Sequence, residues 1–405
     1  MSDTTVGPSD EPSGSASQPL ILVYYWGALM PGANGSQVRT IGQLEYLSKR
    51  FENIVLYHFA NHPHDRWTPE HEADLARRFP NIRLVSDNEG WALKIVSRLK
   101  KIAVTAFPGL ARRVLAWHVE ALTPNYAQLR RSNDDIRYVI NYVDSLAQVN
   151  GIDASKTIVE THDLRYFRRA MASHRSLISC RNLLNLRYEV SALSAANGLV
   201  AITENEAYFF RNMLAETAVY YIPEYAPGAI VCETRRNNFD YDLLFAASGN
   251  QVNVDGITKL FEQAGPDLRD MRFAICGLIC QRPEVQKLAA EYPNIHLLNF
   301  LSDEELEAAY ARSKACVSPT SGTGLNIKLV DALRHCKPVF ATQSSMKGLG
   351  AGYEDCVLPL RVADMKALLS NPEQLHAAST VAGECYQRFA LGGDLTKLFQ
   401  SLQTP

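Results

Sequence analysis

The sequence predicts an α/β protein of two Rossmann-like, doubly wound domains facing a central cleft. Short apolar runs alternate with helix-period segments along nearly the whole chain beyond residue 19, the pattern of parallel sheets with helical crossovers. At 405 residues the chain exceeds what one ordinary core holds. A polar stretch near the middle, CETRRNNFDYD at 232–242, interrupts the alternation, which then starts again.

The first 19 residues, MSDTTVGPSDEPSGSASQP, are rich in Ser, Pro, Gly and Asp and are expected to be a disordered leader. They lack the basic and apolar regions of a secretory signal. The first domain, 20–230, carries candidate strands at 20–26, 53–59, 82–86, 137–143, 157–163, 198–203 and 218–223. Thr203 and Glu206 form a capping-box pattern that should start the helix before the last of these. The second domain, 231–380, carries candidates at 243–248, 271–277, 295–300, 315–320 and 338–343, with a second box at Ser302 and Glu305. A helical segment over 381–405 closes the chain.

Composition narrows the function. A hydrophobic fraction of 46% and a charged fraction of 21% fit a globular protein. A net charge of −2 gives no reason to expect nucleic acid as a partner. No apolar run approaches the roughly 18–20 residues that span a bilayer. The eight cysteines all lie beyond residue 179 without disulfide-like or CxxC spacing, so they are expected to be buried thiols in a reducing cytoplasm. Cys276 and Cys280 are the nearest pair.

One stretch carries the chemistry. In SGTGLNIKLVDALRHCKPVF, residues 321–340, a strand ends at Thr320, a turn with Gly322 and Gly324 follows, and a helix begins. Ile327, Val330 and Leu333 are spaced as its buried face, and Lys328, Asp331 and His335 share another. A cation in a first helical turn is poorly placed beside unpaired N–H groups unless an anion joins it. A phosphate would accept those amides and pair with Lys328, and Asp331 would accept hydrogen bonds from a ribose. The alternative is a surface Lys328–Asp331 pair.

The stretch GTGLNIKLVDAL resembles the nucleotide-binding segment of group 1 glycosyltransferases (glycosyltransferase family 4), which have the GT-B fold. CKPVFATQSSMKGLG, LLFAASGNQVNVDGITKLFEQAGPDLRDMRFAICG and NFLSDEELEAAYARSKACVSP resemble further segments of the same half, in the same order. PGANGSQVRTIGQLEYLSKRF is similar to the family's first loop and helix, and TIVETHDLRYFRR and YEVSALSAANGLVAITENEAYFF to its middle segments. The resemblance covers most of 20–345, while 60–135 matches nothing in particular.

The resemblance implies transfer of a sugar from a nucleotide-diphosphate donor to a glycan or lipid-linked glycan, with retained configuration and without metal or other cofactor. It makes 20–230 the acceptor side and 231–380 the nucleotide-sugar side, with 381–405 turning back toward the first domain. It assigns His162, Lys328 and Asp331 to catalysis. Gly35, Asn253, Gly322, Thr323, Gly324, Leu325 and Asn326 would hold the nucleotide and diphosphate with Lys328 and Asp331, while Arg39 would reach an acceptor or the diphosphate. For each N-terminal residue a plain reading stands alongside: a core histidine, an ordinary turn glycine, a solvated arginine. Two departures stand out. Family members often carry two acids separated by seven residues, where this chain has Thr323 and Asp331, and the basic pair many relatives carry is absent from SGNQVNVDG.

The unmatched segment 91–120 carries Lys94, Arg98, Lys100, Lys101, Arg112 and Arg113 among tryptophans and aliphatics, with no acid before Glu120. It reads either as an interfacial segment at the inner face of a membrane or as helices covering the sheet with a solvated basic face. Two rival functions remain open: a nucleotide-sugar epimerase of the same fold, and a non-catalytic partner that has kept the fold.

Overall fold

The computed structural model describes residues 19–403 apart from 31–33, 63–65, 174, 226, 233–237, 321–324, 350–352 and 392. The leader and the turn residues Gly322, Thr323 and Gly324 lie outside the described residues.

Two all-parallel sheets form. In the first, β1 (Leu20–Tyr24), β2 (Ile54–Phe59), β3 (Ile82–Asp87), β4 (Ile136–Asn141), β5 (Thr157–Glu160), β6 (Gly198–Ala201) and β7 (Ala218–Tyr221) stand in the order β3-β2-β1-β4-β5-β6-β7. In the second, β8 (Tyr241–Ala246), β9 (Phe273–Cys276), β10 (Ile295–Asn299), β11 (Ser313–Ser318), β12 (Val339–Ala341) and β13 (Val357–Pro359) stand in the order β10-β9-β8-β11-β12-β13. Helices cover both faces, so central strands such as LILVY and IVLYHF are buried throughout and read as unbroken apolar runs. The edge strands β3 and β7 are instead mostly partly buried, each with an exposed position. The doubly wound fold read from the sequence is thus present twice. The one strand the sequence did not disclose, β13, is three residues long and sits at an edge.

Strand order reverses between β1 and β4 in the first sheet and between β8 and β11 in the second. Ligands of such sheets gather outside the carboxyl ends at these reversal points. Several N-terminal strands end earlier than their apolar runs. Tyr25, Val143 and Ile222 stay buried after their strands have ended, so the chain bends toward the cleft while still packing as core.

The closing segment divides. The helix Pro372–Leu391 gives Ala382, Cys385, Tyr386 and Phe389 to the second domain's core. The chain then crosses back, with Asp394 N–H donating to Tyr221 O at 2.8 Å. The last helix, Leu395–Gln403, buries Leu398 and Leu402 in the first domain's core and sets Phe399 on Phe51 with ring centroids 5.5 Å apart. Each leucine so buried stabilises the crossing by roughly 1.5–3 kcal/mol.

The cysteines correct the sequence reading. Cys232 pairs with Cys336 and Cys356 with Cys385, with Cα–Cα distances of 5.3 and 5.8 Å. The expectation of eight thiols failed because both pairs are made by tertiary approach, across 104 and 29 residues. Cys276 and Cys280 remain buried thiols, and burial pushes both up from the ordinary thiol range. Four of the eight cysteines are thus paired, and the other four remain thiols.

Candidate active site

The first wall of the cleft is built from the carboxyl ends of β1, β4 and β5. After β1, Asn34 caps the helix Gly35–Ser48 in a reciprocal capping box with Gln37, at 3.1 and 3.2 Å. Gly35 opens that helix and faces Ile327 of the second domain; a Cβ on Gly35 would lie 2.8 Å from Ile327 Cδ1. A side chain at 35 would require Ile327 to shift. Ile327, expected in the core, is half-buried and reaches across the cleft instead.

After β4 and β5 come Tyr142 and His162, with φ of 71° and 59°. Left-handed backbone is costly for such residues and concentrates at functional sites. Their rings stack with centroids 4.3 Å apart. His162 Nε2 donates to Asn141 Oδ1 at 2.8 Å, while the Asn141 amide nitrogen donates to Tyr24 O and Gln43 Oε1. Burial, with Arg39, Arg165 and Arg168 nearby, holds the imidazole well below the usual histidine range. His162 is therefore neutral and fixed in one tautomer.

Arg39 corrects its assignment. Its side chain is only 8% exposed, donating from Nε to Glu160 at 2.8 Å and from its terminal nitrogens to the carbonyls of Ile222 and Pro223. Tyr225 lies under its guanidinium at 5.1 Å. It is neither solvated nor free for an acceptor or diphosphate. It ties the first helix to the chain segment leading into the second domain. The same buried network continues inward. Tyr225 Oη donates to Glu160 at 2.6 Å, Gln43 donates to Tyr225 at 3.1 Å, and Asn141 and His162 follow. His162 is therefore held by a hydrogen-bonded path that begins at the interdomain segment.

The second wall is built after β8 and β11. Asn250 caps the helix Gln251–Leu268, and Asn253, 3% exposed, donates to Ser248 O at 2.8 Å and accepts from Lys328 Nζ. Asn253 thus aims Lys328; its amide is not open to a nucleotide. Asn326 likewise turns inward, donating to Ser318 Oγ at 2.6 Å. Leu325 packs its side chain against the second domain's core. From 325 and 326 only backbone is left for a ligand, because short polar and apolar anchors are what fix a loop on a strand end.

Lys328 stands in the first turn of the helix Ile327–Arg334, where amides lack intrahelical partners and the dipole is positive. Among the described residues no carboxylate pairs with it, and the surface pair with Asp331 does not form. Its neighbours are a neutral amide oxygen and the Phe245 ring at 5.3 Å. Burial lowers its pKa to about 8. Asp331, half-buried, is pushed up to about 6 by burial, against the pull of Arg334.

The sequence reading missed Glu224. It lies between Pro223 and Tyr225 on the connecting segment and accepts from Tyr386 Oη at 3.3 Å. Burial first, and then the charge of Asp331, raise it to about 7. An acid set directly after a strand in the sequence PEY was the only signal. Among the described residues no group of three or more His, Cys, Asp or Glu side chains is placed to hold a metal ion.

Residues 240–374 match the family model described as glycosyl transferases group 1. They form a group 1 glycosyltransferase domain. Solved structures share the two-sheet fold over 95% of the chain. Sucrose-phosphate synthase from Thermosynechococcus elongatus superposes with a TM-score of 0.64 at 13% identity, covering 95% of this chain and 99% of that one. The S. aureus TarM structure holding fondaparinux, α-GlcNAc-glycerol and UDP gives 0.58 at 10%, covering 95% and 99%. Anabaena HepE in complex with UDP-glucose gives 0.53 at 14%, covering 95% and 98%. No curated protein matches this sequence. The chain thus carries a group 1 glycosyltransferase domain over 240–374 and, across its length, a fold shared with these structures.

Proposed function

We propose that the cleft binds a nucleotide-diphosphate sugar and transfers its sugar, with retained configuration, to a hydroxyl of a glycan or lipid-linked glycan. The observation that carries this is Lys328, a desolvated cation at a helix N-terminus with no counter-charge among the described residues, opposite a glycine on the facing domain. A diphosphate supplies what is missing there. It accepts the first-turn amides, pairs with Lys328 and fits against the bare backbone of Gly35. As the bond from the sugar to the diphosphate breaks, negative charge gathers on the phosphate, and these fixed donors meet it without reorganising. In this reading Lys328 and the helix amides meet that charge without a metal. The leaving phosphate takes the acceptor's proton.

Asp331, about one turn further into the helix, is the ribose acceptor in this reading. Glu224 closes the same corner from the connecting segment. His162 is not an acid: its Nε2 proton is committed to Asn141. We assign it the wall against the donor sugar, in a pose fixed by Asn141 and Tyr142. HepE and TarM are described with UDP or UDP-glucose, which makes UDP the first nucleotide to try.

The test is a thermal-shift panel of UDP, GDP, dTDP, CDP and ADP on wild type and Lys328→Ala. A ligand at about a hundred times its dissociation constant adds roughly 2.7 kcal/mol. One diphosphate should stabilise the wild type and not the variant. A panel with no response would overturn the donor site. Release of an epimerised sugar without acceptor would turn the reading to the epimerase.

A further inference from the structure

The helix Trp91–Ala106 is mounted the wrong way round for a protein in water. Its buried residues are Leu93, Ser97, Lys100 and Val104, so two polar side chains lie inside. Lys100 is 1% exposed and donates to Leu115 O at 3.2 Å, with its pKa lowered to about 8 by burial and by Arg130. The opposite face is apolar. Trp91, Ile95, Leu99 and Ile102 recur at helical spacing and are 78%, 45%, 52% and 65% exposed. An amphipathic helix ordinarily turns this stripe to the core. Phe107 and Leu184 extend it onto the neighbouring elements.

Cations line one flank of the stripe. Lys94, Arg98 and Lys101 follow one another at i, i+4 and i+7, and among the described residues only Lys94 and Lys101 of the three have acidic partners, Glu89 at 3.6 Å and Asp144 at 3.0 Å. Beside the stripe lies a pocket of about 570 Å³ whose lining includes Lys101, Arg169 and Arg187 along with Ile102 and Leu184. Asp144 is the carboxylate shared there by Lys101, Arg165 and Arg169, which leaves the pocket cationic. An apolar stripe, a tryptophan at its end and a basic margin form the surface that an anionic bilayer covers.

We propose that this face docks on an anionic phospholipid bilayer, the stripe entering the interface and the pocket receiving a headgroup phosphate. The helix begins beyond the carboxyl end of β3, and Lys101 pairs with Asp144 just past the carboxyl end of β4. It therefore runs along the edge of the sheet at which the cleft opens. Docking would select, among the acceptors proposed above, those carried by a lipid. The surface itself does not depend on the donor reading.

The experiment is sedimentation of the full chain, without nucleotide, with vesicles of phosphatidylcholine alone or mixed equally with phosphatidylglycerol. The protein should pellet with the anionic vesicles, and added salt should release it. Ile95→Ser combined with Ile102→Ser should weaken binding by about tenfold or more, and Arg98→Glu should weaken it less. All three side chains are exposed, so melting temperature and response to UDP should stay at wild-type values. Equal pelleting with both vesicles, or full binding by the double variant, would overturn the proposal. So would a dimer in sedimentation velocity that the double variant dissolves while vesicles are ignored, since a second copy would then be what covers the stripe. A failed nucleotide panel with intact vesicle binding would sink the donor reading alone.

Discussion

Each wall of the cleft draws a cation out of water, and the two are treated differently. On the first wall Arg39 is enclosed by Glu160, two carbonyls and the Tyr225 ring. On the second, Lys328 has one neutral amide oxygen and an aromatic face. Both resemble ligand-binding residues in the sequence. Only the second leaves its desolvation uncompensated, and a group in that state is what an incoming anion rewards. A buried charge already paired is architecture.

The sharpest way to break this contrast is to remove each cation and measure unfolding. Arg39→Met strands Glu160, 0% exposed, and should cost about 3–5 kcal/mol in urea denaturation. Lys328→Met should unfold at or above the wild-type midpoint. A lysine whose pKa falls from its ordinary value to about 8 costs stability because the unfolded chain binds the proton more tightly. That cost is absent above the ordinary lysine range, grows as pH falls from there to about 8, and is full below about 8. A loss at Lys328 equal to that at Arg39 would erase the distinction.

Binding should show the reverse order. Lys328→Ala is expected to weaken UDP by about thirty- to a hundredfold in calorimetry, the scale of a lost charge-assisted hydrogen bond. Next in size is Gly256→Ala. A Cβ there would lie 2.7 Å from Pro319 O and 3.1 Å from Thr320 Cα, and this backbone leads toward the proposed donor site. Overpacking of this kind costs about 1–3 kcal/mol, and weaker UDP binding should accompany it.

Titration gives the finest tests. Above about pH 8 UDP affinity should fall as Lys328 loses its proton. Glu224 acts on stability in the opposite sense to a salt-bridged carboxylate. Its pKa is raised to about 7, so the stability it gives is full below the ordinary carboxylate range and is lost as pH rises through about 7. Glu224→Gln should make the fall in melting temperature across that window shallower.

Much of the fold was legible because central parallel strands must be apolar on both faces, as LILVY and IVLYHF are. Strand ends were less legible. Tyr25, Val143 and Ile222 look like strand and are buried like strand, yet the chain has already turned. The Lys328 site was readable because strand, turn, helix start and cation are contiguous. The partners of Arg39, His162 and Asn253 come from residues 75 to 184 positions away, or from a neighbouring strand 21 residues off, and no local pattern carries that information.

By itself, then, the sequence determined two doubly wound domains and a cation at a helix start, because periodicity and local dipoles are short-range. Tertiary structure alone decided which cation is satisfied, that Asn253 serves Lys328, that four cysteines meet, and that the helix Trp91–Ala106 turns its apolar side outward. Each of these depends on which side chains are brought together out of water, and the energy of a charge or an apolar face is set by that neighbourhood rather than by its place in the chain.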